Sequence, residues 1–259
     1  MNPTAPATRR LPIAALAPWF AVAALAWLGV IAVARGMGAM TGTMGLGLGA
    51  FVAVWTLMMS AMMLPAVAPF AAFYARTFTE RRATRRSLFV AGYLTAWAAV
   101  AVPAFGLAWV ADRLVAGHPN GATALAVVIF AACGIYQLTP LKDRCLALCR
   151  SPLGFAMRYR HVRGRTRDFR VGLRHGLFCL GCCWALMGLL LAFGLMNVTA
   201  MAVLAIIVVA EREWRHGPAL ARVVGILVLG LAVVVIFRPS LAPGLHHGTT
   251  MTTSKMGGM

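Results

Sequence analysis

From Ile13 to Phe237 the chain alternates long apolar blocks with short, arginine-rich segments. Apolar runs of this length point to membrane-crossing helices, each needing about 20 residues to span the hydrocarbon layer while closing its own backbone hydrogen bonds. The length would accommodate two soluble domains, yet the blocks leave no large soluble part. The composition agrees: 61% hydrophobic and 12% charged residues, where soluble domains have about half and a quarter. The expected fold class is all-α, a polytopic transmembrane helical bundle.

Seven apolar spans are read, at Ile13–Ala34, Ala50–Ala75, Leu88–Ala111, Ala122–Leu138, Gly176–Leu195, Val198–Ala210 and Ala219–Phe237. The sixth is short and partly re-entrant in one reading, which makes six the alternative count. The first is too long, and lacks the small-residue cleavage site, for a simple signal peptide. Lysine and arginine set the orientation. With the N-terminus cytoplasmic, 20 of the 24 basic residues fall inside, leaving Arg35, Arg113, Arg238 and Lys255 outside. The expectation is therefore a cytoplasmic segment 1–12, a transmembrane domain 13–237 with a cytoplasmic Cys/Arg-rich loop 139–175, and a periplasmic tail 238–259. In a soluble protein a net charge of +18 would suggest nucleic acid. Beside apolar spans it sets topology and attracts anionic headgroups, so the partner is the lipid bilayer and no nucleic acid is expected.

This topology puts all six cysteines on the cytoplasmic side, where thiols stay reduced and a disulfide framework is not expected. The stretch "HGLFCLGCCW" carries His175, Cys179, Cys182 and Cys183. At 100° per residue the four fall within about 100° of arc, a single helix face. In "DRCLALCRSP", Cys145 and Cys149 are four apart, the spacing that aligns side chains on a helix. This segment follows the fourth span at the surface where the fifth enters, so the two sets can meet. Soft thiolates select Cu(I), Zn(II) or an iron–sulfur cluster. Against that stands the plainer reading, in which cysteine is a small residue that packs helices closely.

Methionine repeats the theme. Met58 and Met62, and Met59 and Met63, are four apart in "TLMMSAMMLPAVAPF" and form a stripe about 100° wide. Pro65 and Pro69 follow, and the helix is expected to bend or open there. Thioethers suit Cu(I), and they also fill irregular core gaps. On the outer side lie Met37, Met40 and Met44, and the tail with His246, His247, Met251, Met256 and Met259. Glu211 and Glu213 in "AEREW" are expected to pair with Arg212, Arg215 or the loop arginines, and Asp143 and Asp168 to pair similarly. No Ser/His/Asp set, phosphate loop or buried carboxylate pair supports hydrolysis or phosphoryl transfer, and no internal repeat is evident.

Three stretches in this order, "MMSAMMLPAVAPF" (Met58–Phe70), "IYQLTPLKDRCLALCRSPLGF" (Ile135–Phe155) and "GLRHGLFCLGCCWALM" (Gly172–Met187), resemble a bacterial family of uncharacterised integral membrane proteins, usually described as predicted metal-binding. The resemblance covers roughly Ala50–Phe237. It implies a bacterial cytoplasmic (inner) membrane protein with metal ligands among Met58, Met59, Met62, Met63, Cys145, Cys149, His175, Cys179, Cys182 and Cys183. The outer methionine loop and the Met/His tail lie outside it. The function expected is copper handling by transport, delivery or metallation of a copper enzyme, with zinc as the alternative ion and a copper protein or another membrane subunit as partner. The alternatives are a thiol- or metal-dependent redox protein or enzyme, and a structural subunit whose cysteines only pack.

Overall fold

The computed structural model describes residues 13–37, 42–76, 82–118, 120–151, 164 and 166–246. These form α1 (Ile13–Met37), α2 (Leu48–Arg76), α3 (Arg82–Gly117), α4 (Gly121–Gln137), α5 (Pro140–Arg150), α6 (Arg167–Phe193), α7 (Val198–Glu213) and α8 (Gly217–Phe237). A 3-10 turn at Pro239–Leu241 leads to the short α9 (Pro243–His246). There is no strand among the described residues, and the all-α bundle is as the apolar blocks predict.

Five helices are long and apolar enough to cross a membrane: α1, α2, α3, α6 and α8. The sixth candidate is the pair α4 and α5, bent by 63° at the break between them. The bend is local chemistry. Thr139 caps α5, its Oγ1 accepting from the Lys142 backbone N–H at 3.3 Å, and Pro140 takes the first turn, where a missing N–H is harmless. The run read as the sixth span is α7, 16 residues, about 24 Å long against a hydrocarbon layer of about 30 Å. Asn197 caps it through a bond from the Ala200 N–H at 3.0 Å.

Two further features differ from the sequence expectation. The stretch 139–175 is largely helical where described: it contains α5, and α6 starts at Arg167 rather than near Gly176. Asp168 secures that earlier start from the first turn, accepting from Tyr74 Oη at 2.7 Å and Arg85 Nε at 2.9 Å. In turn α2 is helical through Pro65 and Pro69, so of the bend or opening expected there it does not open. It is among the most buried helices, and Ala61 and Ala66 around the first proline are fully covered by neighbouring helices.

The helices around α6 are held by glycine. A Cβ on Gly172 would stand 2.0 Å from the Phe89 carbonyl oxygen, and one on Gly92 2.0 Å from that of Phe169. Backbone therefore touches backbone between α3 and α6, the small-residue packing that membrane helices use in place of a hydrophobic drive. Phe89 meets Gly172 and Tyr93 meets Gly176, so these two helices run parallel. Tyr74 meets Asp168, Phe70 meets His175 and Met63 meets Cys183, so α2 runs the other way. Arg85, Arg167 and Arg170 thus share one end of the bundle with the C-terminus of α2. Outward faces carry exposed Leu25, Leu107, Val128, Ile206, Leu227 and Phe237, a surface suited to lipid.

Candidate metal centre

The turn Cys179–Cys183 lies in the middle of α6, facing the space enclosed by α2, α3, α5 and α7. Spacings of three and four put Cys179, Cys182 and Cys183 on one face, as the sequence implies. Their three Sγ atoms lie within 4.8 Å of one another, and each residue is at most 1% exposed. The Cys182 and Cys183 thiols donate to the Cys179 carbonyl at 3.0 and 2.9 Å, a local bond to the preceding turn that leaves the sulfurs together. Three sulfurs around one ion at a bond length of about 2.3 Å stand roughly 4 Å apart, so small side-chain rotations close the set.

Neighbouring helices complete the surroundings. Cys149, on α5, is also buried, and α5 packs against α6. The Met63 Sδ lies 3.9 Å from the Cys183 Sγ. Met58, Met59 and Met62 are also fully buried on α2. Tyr93 Oη is 3.2 Å from the Cys179 Sγ. Arg212, 3% exposed, donates through Nη1 to the same sulfur at 3.3 Å.

The structure does not gather every expected ligand equally. Cys145, one turn before Cys149, is only partly buried and lies over Gly181, where a Cβ would be 3.0 Å from its sulfur. It stands outside the three-sulfur group. His175 stacks on Phe70, ring centroids 4.1 Å apart, and its Nε2 lies 3.3 Å from Arg212 Nη2. A guanidinium only donates, so Nε2 accepts and the imidazole holds the arginine. Of the outer residues, Met44 is buried at a positive φ of 58°, in a turn tied to α3 by the Thr43 N–H to Asp112 Oδ2 bond at 3.2 Å. Met37 is partly buried against the core. Met40, His247, Met251, Met256, Met259 and the side chain of His246 lie outside the described residues.

Sequence reasoning missed the charged residues that line this space. Glu211 does not pair with Arg212. It accepts from Lys142 Nζ at 2.6 Å and Gln137 Nε2 at 2.8 Å, while Lys142 Nζ also donates to the Cys182 carbonyl at 2.5 Å. Consecutive helical residues point about 100° apart, so Glu211 turns to α4 and α5 and Arg212 turns to the thiols. The signal available in sequence was a pair of charges closing an apolar run. For Tyr93 there was none.

The family model of the PpoB2 copper chaperones matches residues 52–235. The chain belongs to that family. No curated protein and no solved structure matches it. The PpoB2 match begins in α2 and ends in α8, so it takes in the methionine stripe, both cysteine segments and Arg212, and leaves out α1 and the tail. For a copper chaperone the ion is cargo, and the donors fit it. Three thiols and a neighbouring thioether, with no carboxylate among them, suit a soft monovalent ion.

Proposed function

We propose that this chain is an integral membrane copper chaperone that holds Cu(I) on Cys179, Cys182 and Cys183, with Met63 and Cys149 as neighbouring donors, and passes it to a copper protein. The observation that carries the reading is the three-sulfur group: buried, mutually within 4.8 Å, and set in a copper chaperone family. Met58, Met59 and Met62 extend from Met63 along α2 and form a path of weaker soft donors to the stronger thiolates. On this reading the outer Met/His residues collect the ion. The excess of arginine at the bundle end shared by α2, α3 and α6 supports a bacterial inner-membrane location with the N-terminus cytoplasmic, the tail periplasmic and the cysteine turn in the cytoplasmic half.

The test is metal content of the detergent-purified protein expressed with copper and zinc supplied, compared with a variant carrying Ser at Cys179, Cys182 and Cys183. Near-stoichiometric copper, lost in the variant, is expected. Zinc lost instead assigns the site to another ion. Equal, negligible metal in both defeats the reading and leaves the cysteines as packing.

A further inference from the structure

Arg212 is the least expected residue in the molecule: a cation on a short helix, 3% exposed, in an apolar bundle. Its two nearest polar contacts are the Cys179 sulfur and the His175 imidazole, each at 3.3 Å. No carboxylate forms an ion pair with it among the described residues: Glu211 is committed to Lys142 at 2.6 Å, and Glu213 acts on Arg212 only from beyond ion-pair distance. Its Nε makes no hydrogen bond. A buried guanidinium without a carboxylate is costly, and it persists only where something else near it is negative.

Resting on the copper reading above, we propose that Arg212 determines the specificity of the three-thiol site, its fixed positive charge favouring a monovalent over a divalent ion. The argument is one of charge counting. Thiols bind metal as thiolates. For any given set of sulfurs, the complex of a divalent ion is one unit more positive than that of a monovalent ion. An ion bonded to Cys179 at about 2.3 Å lies roughly 5–6 Å from the guanidinium. At that distance, and at the effective dielectric of protein sites, one extra unit of positive charge shifts the binding constant on the order of a hundredfold. His175 serves by holding the guanidinium in place, which accounts for its burial beside the thiols without making it a ligand.

The experiment measures the ratio of Cu(I) to Zn(II) binding constants by chelator competition, anaerobically, on the purified full chain. Wild type is compared with Arg212→Lys, which keeps the charge, and with Arg212→Gln and Arg212→Met, which remove it with differently shaped neutral side chains. Arg212→Met provides the neutral comparison if a buried amide at this position prevents folding. The expected result is a fall in the ratio on the order of a hundredfold in the neutral variants, with Arg212→Lys within a few-fold of wild type. A merely structural role would weaken both ions alike. An unchanged ratio in the neutral variants overturns the proposal, and so does an equal fall in Arg212→Lys. Wild-type protein that binds neither ion overturns the copper reading as well, an outcome distinct from binding with an unchanged ratio.

Discussion

Replacing Lys142 with Met tests whether the charges around the thiols are as tightly coupled as the distances imply. Lys142 is fully buried, and its Nζ sits 2.6 Å from Glu211 Oε2 and 2.5 Å from the Cys182 carbonyl. Removing the ammonium leaves Glu211, 1% exposed, with only the Gln137 amide at 2.8 Å against its carboxylate. Breaking one side of a buried pair costs about 3–5 kcal/mol, because the remaining charge stays desolvated. At about 2–4 °C per kcal/mol for a chain of this size, the midpoint of thermal unfolding in detergent falls by roughly 6–20 °C. The second half of the test is Lys142→Met combined with Glu211→Gln. That pair removes both charges and lets two amides face each other, so most of the loss is recovered. The assay is a thermal melt by circular dichroism on all three proteins at equal detergent concentration. A single variant that melts with wild type, or a double variant no better than the single, refutes the reasoning. Either result means that the pair is not desolvated as its burial says.

Gly172→Ala places a methyl group 2.0 Å from the Phe89 carbonyl oxygen, so α3 and α6 must part and Tyr93 withdraws from Cys179. We expect a loss of about 1–3 kcal/mol in thermal stability together with weaker Cu(I) binding. Met63→Leu is a near-isosteric change costing under about 1.5 kcal/mol in folding, and it lowers Cu(I) affinity if the thioether 3.9 Å from Cys183 contributes. An unchanged affinity removes Met63 from the site.

Much of the helical architecture is legible in the sequence, because each apolar block is a helix in the structure, and five of those helices are long and apolar enough to cross a membrane. The cysteine face is legible too: His175, Cys179, Cys182 and Cys183 follow from helical spacing alone. What spacing cannot show is which neighbour faces the turn. Cys145 and Cys149 look equivalent in sequence, yet in the packed helix Cys149 is buried while Cys145 is only partly buried over Gly181. The helical start of α6 at Arg167 was hidden because Arg167–Arg174 reads as a polar loop. It is Tyr74 and Arg85, from two other helices, that hold Asp168. Arg212 was hidden by its neighbour. A Glu next to an Arg reads as a pair, and only the packing of α7 separates them. Tyr93 carried no local signal, since its role comes from the glycine contacts that bring α3 against α6.

The buried charges also bear on whether the cysteines are packing alone. Around the turn of α6 two cations are fully enclosed, Lys142 and Arg212, and one anion, Glu211. At the edge, Glu213 acts first on Arg212 and then on Arg150, so Arg150 and Glu213, both more exposed, add no net charge to this count. Three neutral thiols would therefore leave one net positive charge inside an apolar bundle, against a desolvation penalty of several kcal/mol. A small apolar filler needs no such charge, and Ala or Gly would pack as closely. A metal ion held by the three thiolates gives a negatively charged complex, by two units for Cu(I) and by one for a divalent ion, and either offsets that positive charge. A packing role therefore explains the proximity of the sulfurs and leaves Arg212 unexplained, whereas a thiolate-bound metal ion accounts for both.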